Sequence, residues 1–485
     1  MKLLNLASIL PLALAKPKNP CLALKEDASN SKNFGPCLLS LYDDIKMIQK
    51  GKFPPKMKDK ITLLSEKLIE PEIVTKYHLI FDCGSSGTRA TLYKTVQEGT
   101  GKNKEIVSLK VVENPTTQEE ISFEIKEHSD TKYHLGIHDL NDEDTMNQLK
   151  IVTDNIFNMA NSANIPDMDL NKENIRTKIL ATGGMRTLEK NDQIAKMERI
   201  SNFMGSTFEN LTVKKSKVIT GVDEGEFAYL SANYLKSKDE KFNGPDEPKN
   251  YGIFEMGGSS IQFATNDYVN SWNGLGANVV RERYVDFMFI DVEPLENDRM
   301  IDPCLNEGIE LEPGMVGVKS KNRFKDCYNK LAHSSTPVYD CFNHFADIDL
   351  RCDSPDSLKK VGQVVSESYL KSQEIQKAFG LSAIFYAAEN MNLDHTNFSL
   401  NNFKQQTKAF CQFDKDTLYQ QFAGYKGNND EYLKSQCFRS VYILVLLEQG
   451  FGIDLNNGSF ELVPADEIGG DKTAWAMGAV LDGFE

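Results

Sequence analysis

No Cys-x-x-Cys pair occurs in this sequence, which removes the usual spacing of a zinc site. No apolar run approaches the ~20 residues that cross a bilayer. Residues 3–14 form a short one, broken only by Asn5 and Ser8, and residues 441–447 form another, short enough for a buried helix. Positive charge is not in excess: 55 basic side chains stand against 70 acidic ones, a net charge of −15. Such a chain repels nucleic acid and anionic membranes, so a polyanionic ligand must be held by backbone N–H groups or through a metal. Histidine and tryptophan are scarce, at seven and two residues. The composition of a disordered chain is also missing, because 40% of residues are apolar and 26% charged. At ~150 residues per domain, the 485 residues make about three domains or two large ones.

The start of the chain reads as an address. Lys2, the apolar run and Ala13-Leu14-Ala15 form a secretory signal peptide over residues 1–15, with cleavage expected after Ala15. No lipid-anchor or retention signal ends the sequence, so the mature chain is expected to be soluble, secreted or in the lumen of the secretory pathway. Nine cysteines then read as disulfides, four of them crowded between 304 and 352 in a loop-rich insertion spanning 300–355. The sequons at Asn210, Asn397 and Asn457 agree with glycosylation on that route.

Residues 16–75 are Lys-rich and read as an accessory N-terminal segment, with a short amphipathic helix over 61–69. Beyond it the texture alternates. Residues 78–82 and 90–93 predict a hairpin with a Gly-Ser turn. Met146, Leu149, Val152, Ile156 and Met159 recur at helical spacing. Strands are expected at 178–182 and 218–220, a helix carrying Met197, Ile200, Phe203 and Met204 between them, and a helix from about 224 to 235. Strands alternating with helices predict an α/β fold with mixed sheets.

One internal repeat carries the most information. Ile80-Phe81-Asp82-Cys83-Gly84-Ser85-Ser86 is echoed by Ile253-Phe254-Glu255-Met256-Gly257-Gly258-Ser259-Ser260. Each copy is a strand, an acid, glycine and paired serines. Two such loops face to face form a groove of N–H groups with little side-chain bulk, which suits a phosphate chain. Asp82 and Glu255 at the loop mouths suit a divalent cation, held through water. Alternatively these acids only accept turn N–H bonds. His134 and His138 stand at i, i+4 with no accompanying acid motif and read as a surface pair.

The sequence 80–89 resembles the first conserved region of the apyrase, or ectonucleoside triphosphate diphosphohydrolase, family. Ala181-Thr182-Gly183-Gly184-Met185-Arg186, Gly221-Val222-Asp223-Glu224-Gly225, Glu255-Met256-Gly257-Gly258-Ser259-Ser260-Ile261-Gln262 and Ala474-Trp475-Ala476-Met477-Gly478-Ala479 resemble the second to fifth, in order. The resemblance implies two actin-like, ribonuclease H-like lobes with a nucleotide cleft between them, one from 76–220 plus 466–485 and the other from 221–465. Its substrates would be nucleoside tri- and diphosphates. It implies that Gly84, Ser85, Ser86, Gly87 and Thr88 hold one side of the phosphate chain and Gly257, Gly258 and Ser259 the other. Asp82 and Glu255 would organise Mg²⁺ or Ca²⁺ through water. Glu224 would be the general base, Ser260 and Gln262 would position the attacking water, and Thr182 would lie close by. Tyr386 and Trp475 would sandwich the nucleobase. The resemblance also pairs Cys304 with Cys341, Cys327 with Cys352 and Cys411 with Cys437. Cys21 and Cys37 pair locally, which leaves Cys83 as a buried thiol. Two positions depart from the pattern: Glu255 stands where the family has Asp, and Tyr229 where it has Trp. A sugar kinase or ATP-driven chaperone on the same fold, and a nucleotide-binding protein that has lost turnover, stay open as alternatives. Oligomeric state is not legible.

Overall fold

The computed structural model describes residues 72–85, 87–100, 103–126, 135–165, 168, 174–291, 300–311, 314–332, 375–395, 398–422, 430–456, 458 and 460–483. The signal peptide, the 61–69 helix, the Cys21–Cys37 pair, Ser86, His134, Cys341, Cys352 and the asparagines of two sequons, Asn397 and Asn457, lie outside the described residues. The chain divides into a small unit, Met1–Val74 with Gln97–Glu105, and a large one, Thr75–Val96 with Ile106–Glu485. The candidate site residues described below all belong to the large unit.

Two mixed sheets are built to one plan. The first has the order β3-β2-β1-β5-β6, from β1 (Glu72–Cys83), β2 (Gly87–Thr100), β3 (Asn103–Val111), β5 (Ile175–Ala181) and β6 (Leu211–Val218), with β4 (Ser122–Lys126) on β2. The second has the order β13-β12-β7-β8-β9, from β7 (Gly252–Met256), β8 (Ser260–Ala264), β9 (Val269–Asn273), β12 (Lys377–Ser382) and β13 (Glu461–Pro464). In each, three sequential strands form one half and two strands reached by crossovers extend the other. β1 runs parallel to β5, and β7 parallel to β12. Thus Asp82 and Glu255 end corresponding strands. Residues 77–81 of β1 and all of β7 and β8 are buried, as befits central strands covered on both faces. β10 (Met300–Ile301) and β11 (Met315–Val316) form a separate short ladder.

Helices flank the sheets. α1 (Asp142–Ser162) is capped by Asn141 and starts with three acids that favour the positive end of its dipole. Its buried face holds Leu149, Val152 and Ile156 of the predicted periodic set, with Met146 and Met159 half-buried against the same core. α2 (Lys190–Thr207) buries Met197, Ile200 and Met204. α3 (Gly221–Lys238) opens on a capping box, Thr220 with Asp223, which places Glu224 in its first turn. It runs from Gly221 to Lys238, beyond both ends of the helix expected from about 224 to 235. α4 (Ala277–Asp291), α5 (Arg323–Ala332), α6 (Ala383–Glu389), α7 (Leu400–Phe410), α8 (Lys415–Phe422), α9 (Asp430–Val445) and α10 (Trp475–Leu481) complete the set. Residues 441–445 end α9 and are buried, as expected. Among the described residues no helix is long and apolar enough to cross a membrane.

The cysteine pairing needs a correction. Cys304 is bonded to Cys327, with Cα atoms 4.8 Å apart, so the expected 304–341 and 327–352 pairs do not form. The reason is local packing: the turn after β10 and helix α5 bury both residues in one core. Cys411–Cys437 forms as expected and pins the end of α7 to α9. Cys83 is a free, buried thiol, and burial together with the Asp82 charge pushes its ionisation well up.

Candidate active site

Strand register delivers the acids. Asp82 and Cys83 lie opposite Leu180 and Ala181, so Thr182 follows beside the first loop and its N–H donates to Cys83 O at 3.1 Å. Glu255 lies opposite Gln262 in the β7–β8 hairpin. The second loop is closed by Gly257 N–H donating to Ser260 O (3.0 Å). The turn after β5 meets the second loop at Gly183, where a Cβ would fall 2.9 Å from that of Ser259, so only glycine lets them approach. Ser85, Gly84, Gly258 and Ser259 keep partial exposure. Thr88 does not: it is buried and its hydroxyl donates to Gln148 Oε1 at 2.7 Å, so its side chain braces the loop.

Glu224 is 8% exposed and ion-paired to Arg186 Nη2. Arg186 also donates from Nε to Ile219 O (2.9 Å) and from Nη1 to Asn273 Oδ1 (3.1 Å). Gln262 sits between Glu224 and Glu255. With its amide nitrogen toward Glu255 it donates to Glu255 O (3.1 Å) and Oε2, while its oxygen accepts from Ser260 Oγ (2.8 Å) and Ser271 Oγ (3.1 Å). That orientation pairs every donor with an acceptor. In the opposite one the nitrogen donates to Glu224 Oε2 at 3.4 Å. Ser382 Oγ donates to Glu255 Oε1 at 2.9 Å. Ser382 takes a positive φ of 56°, a strained conformation worth ~1–3 kcal/mol that clusters at functional sites. Neither Arg186 nor Ser382 was given a role from sequence. Arg186 at least stood inside a recognised motif.

The electrostatics describe a place that wants a cation. Burial, with the Glu224 charge adding and Arg89 opposing, pushes Asp82 up to about 7. Burial, then the charges of Glu224 and Asp82, push Glu255 up to about 8, with the Ser382 hydrogen bond opposing. Glu224 thus raises both loop-mouth acids, a concentration of negative charge that fits a divalent ion. Among the described residues no group of three or more His, Cys, Asp or Glu is placed to hold a metal ion.

The base end differs from expectation. Tyr386 is 50% exposed and its hydroxyl donates to Asp466 Oδ1 (3.3 Å). It lines a cavity of about 500 Å³ with Phe385, Glu389, His395 and Lys241. Trp475 does not line this cavity. It is 9% exposed and stacks on Phe227 of α3, ring centres 6.5 Å apart, because α10 packs along α3. The expected sandwich is not formed. Tyr229 is buried in the same core. His138 is no surface residue, since its ring lies against Gly184.

Residues 69–267 and 265–485 match the GDA1/CD39 (nucleoside phosphatase) family, and the chain belongs to it. An ectonucleoside triphosphate diphosphohydrolase 7 from Xenopus tropicalis is 22% identical over 377 residues, covering 62% of this chain and 58% of that protein. A nucleoside-triphosphatase from Caenorhabditis elegans is 23% identical over 450 residues, covering 85% of this chain and 74% of that protein. Among solved structures, nucleoside triphosphate hydrolases from Neospora caninum share the fold at a TM-score of 0.51 and 12% identity, over 90% of this chain and 96% of that one. The two-lobed α/β architecture is therefore that of this family.

Proposed function

We propose that this protein hydrolyses nucleoside tri- and diphosphates, releasing the terminal phosphate with the help of Mg²⁺ or Ca²⁺. The observation that carries the reading is the Arg186–Glu224 ion pair together with the Gln262–Glu255 hydrogen bonds, set beside two acid-ended Gly-Ser loops. The loops at 84–88 and 257–259 cradle the phosphates. Asp82 and Glu255 would hold the cation through water, and the bound cation neutralises phosphate charge. Gln262 and Ser260 orient a water. Its oxygen attacks the terminal phosphorus, its proton passes to the Glu224 carboxylate, and the bond to the bridging oxygen breaks, leaving the shortened nucleotide. Such transfer depends on positioning and charge neutralisation more than on covalent steps. Tyr386 stacks on the base, an arrangement that accepts many bases. The leader sequence and the bonded cysteines support a secretory location.

The test is phosphate release from ATP, ADP, UDP and GDP with Mg²⁺, Ca²⁺ or EDTA. Release that needs the cation supports the reading. Transfer only to a sugar acceptor, or no turnover of bound nucleotide, would favour the kinase or inactive-binder alternative.

A further inference from the structure

The segment 135–140 lies outside all five motifs, yet it is fastened to the first phosphate loop. A Cβ at Gly136 would fall 2.4 Å from Ser85 O and 2.8 Å from Gly84 O. Gln148, which accepts from Thr88, donates through Nε2 to Leu135 O at 2.8 Å. Buried Lys196 holds the other end, donating to Leu140 O at 2.5 Å. His138 stands between these anchors with its ring wedged between Gly136, where a Cβ would fall 2.7 Å from Nδ1, and the turn after β5. A Cβ at Gly184 would fall 2.5 Å from its Cε1 and Nδ1. Nε2 pairs with Asp139 Oδ2 at 3.2 Å, while Nδ1 is buried with no hydrogen-bond partner.

An uncompensated buried nitrogen costs stability, and simple packing would be met better by an apolar ring. We infer that His138 is a positioning residue: its ring, oriented by Asp139, spaces the first phosphate loop from the turn that carries Thr182 and Arg186, and through Arg186 it fixes Glu224. The effect on turnover rests on the hydrolase reading above. The spacing itself does not. Burial also holds the imidazole below its ordinary titration range, against the pull of Asp139 and with that of Lys196, so the spacer is a neutral ring.

The test uses the full chain with His138→Ala and His138→Gln, the latter restoring a nitrogen near Nε2 for Asp139. His138→Ala is expected to lower kcat ~10- to 10²-fold, the scale of small misplacements of reacting groups. KM and thermal midpoint should stay near wild type, and Gln should recover much of the loss. Hydrogen exchange of the 182–187 segment without nucleotide should rise in the Ala variant, a readout that holds even if the wild type hydrolyses nothing. Wild-type kcat in the Ala variant, a loss confined to KM, Gln no better than Ala, or unchanged exchange in 182–187 would each overturn the inference. An inactive wild type with raised exchange in the Ala variant would sink the hydrolase reading and spare the spacer.

Discussion

Arg186 and Glu224, 38 positions apart in sequence, form an ion pair that joins the turn after β5 to the first turn of α3. Arg186 spends three separate nitrogens on three acceptors, so its planar fork fixes the carboxylate's direction as well as its charge. Arg186→Lys keeps the charge and loses the fork. We expect kcat to fall ~10-fold or more with KM little changed, measured by steady-state phosphate release. An unchanged kcat would show that Glu224 needs no such anchor.

Burial and the Glu224 charge raise the proton affinity of both Asp82 and Glu255, so a divalent cation should stabilise the fold. At a hundredfold excess over Kd the linkage is about 2.7 kcal/mol, visible as a rise in thermal midpoint. Asp82→Asn should abolish that rise. Glu255→Asp, which shortens the acid to the usual family residue, should keep it. A midpoint indifferent to Mg²⁺ and Ca²⁺ in the wild type would contradict the site.

His78 in β1 is buried, its Nε2 lies 2.8 Å from Thr95 Oγ1, and burial drives its titration from 6.5 down to about 3. A base with a lowered folded value leaves the unfolded chain as the better proton acceptor. Stability from neutral His78 is therefore complete above pH 6.5 and is lost as pH falls toward 3. His78→Gln should flatten the acid limb of thermal midpoint against pH relative to wild type. Parallel limbs in the two proteins would refute this.

Tyr386 and Trp475 should separate cleanly. Tyr386→Ala should raise KM through the loss of ~1–3 kcal/mol of stacking and spare the thermal midpoint. Trp475→Ala removes a ring packed on Phe227 and should cost ~3–5 kcal/mol of stability. A KM effect from Trp475 in a fully stable protein would restore the sandwich.

The sequence made the duplicated loops legible because acid, glycine and serine are needed there for local reasons: strand end, tight approach and small bulk. The helices at 142–162 and 190–207 were legible from apolar spacing, which reports a buried face directly. Other features depend on what the fold brings near. Cys304 could have met any partner until α5 turned Cys327 toward it. Trp475 in a Gly/Ala setting gives no sign that α10 lies along α3. The strain at Ser382 and the packing of His138 on Gly184 are properties of backbone placement, which no residue type announces. β3 and β4 went unread because their polar alternation resembles loop.

The most direct measurement is turnover by Glu224→Gln with a nucleoside triphosphate and saturating Mg²⁺, set beside nucleotide binding by the same variant. Gln keeps the shape and removes the proton acceptor. Hydrolysis should fall ~10²-fold or more while binding survives. Near-wild-type turnover would contradict Glu224 as the base.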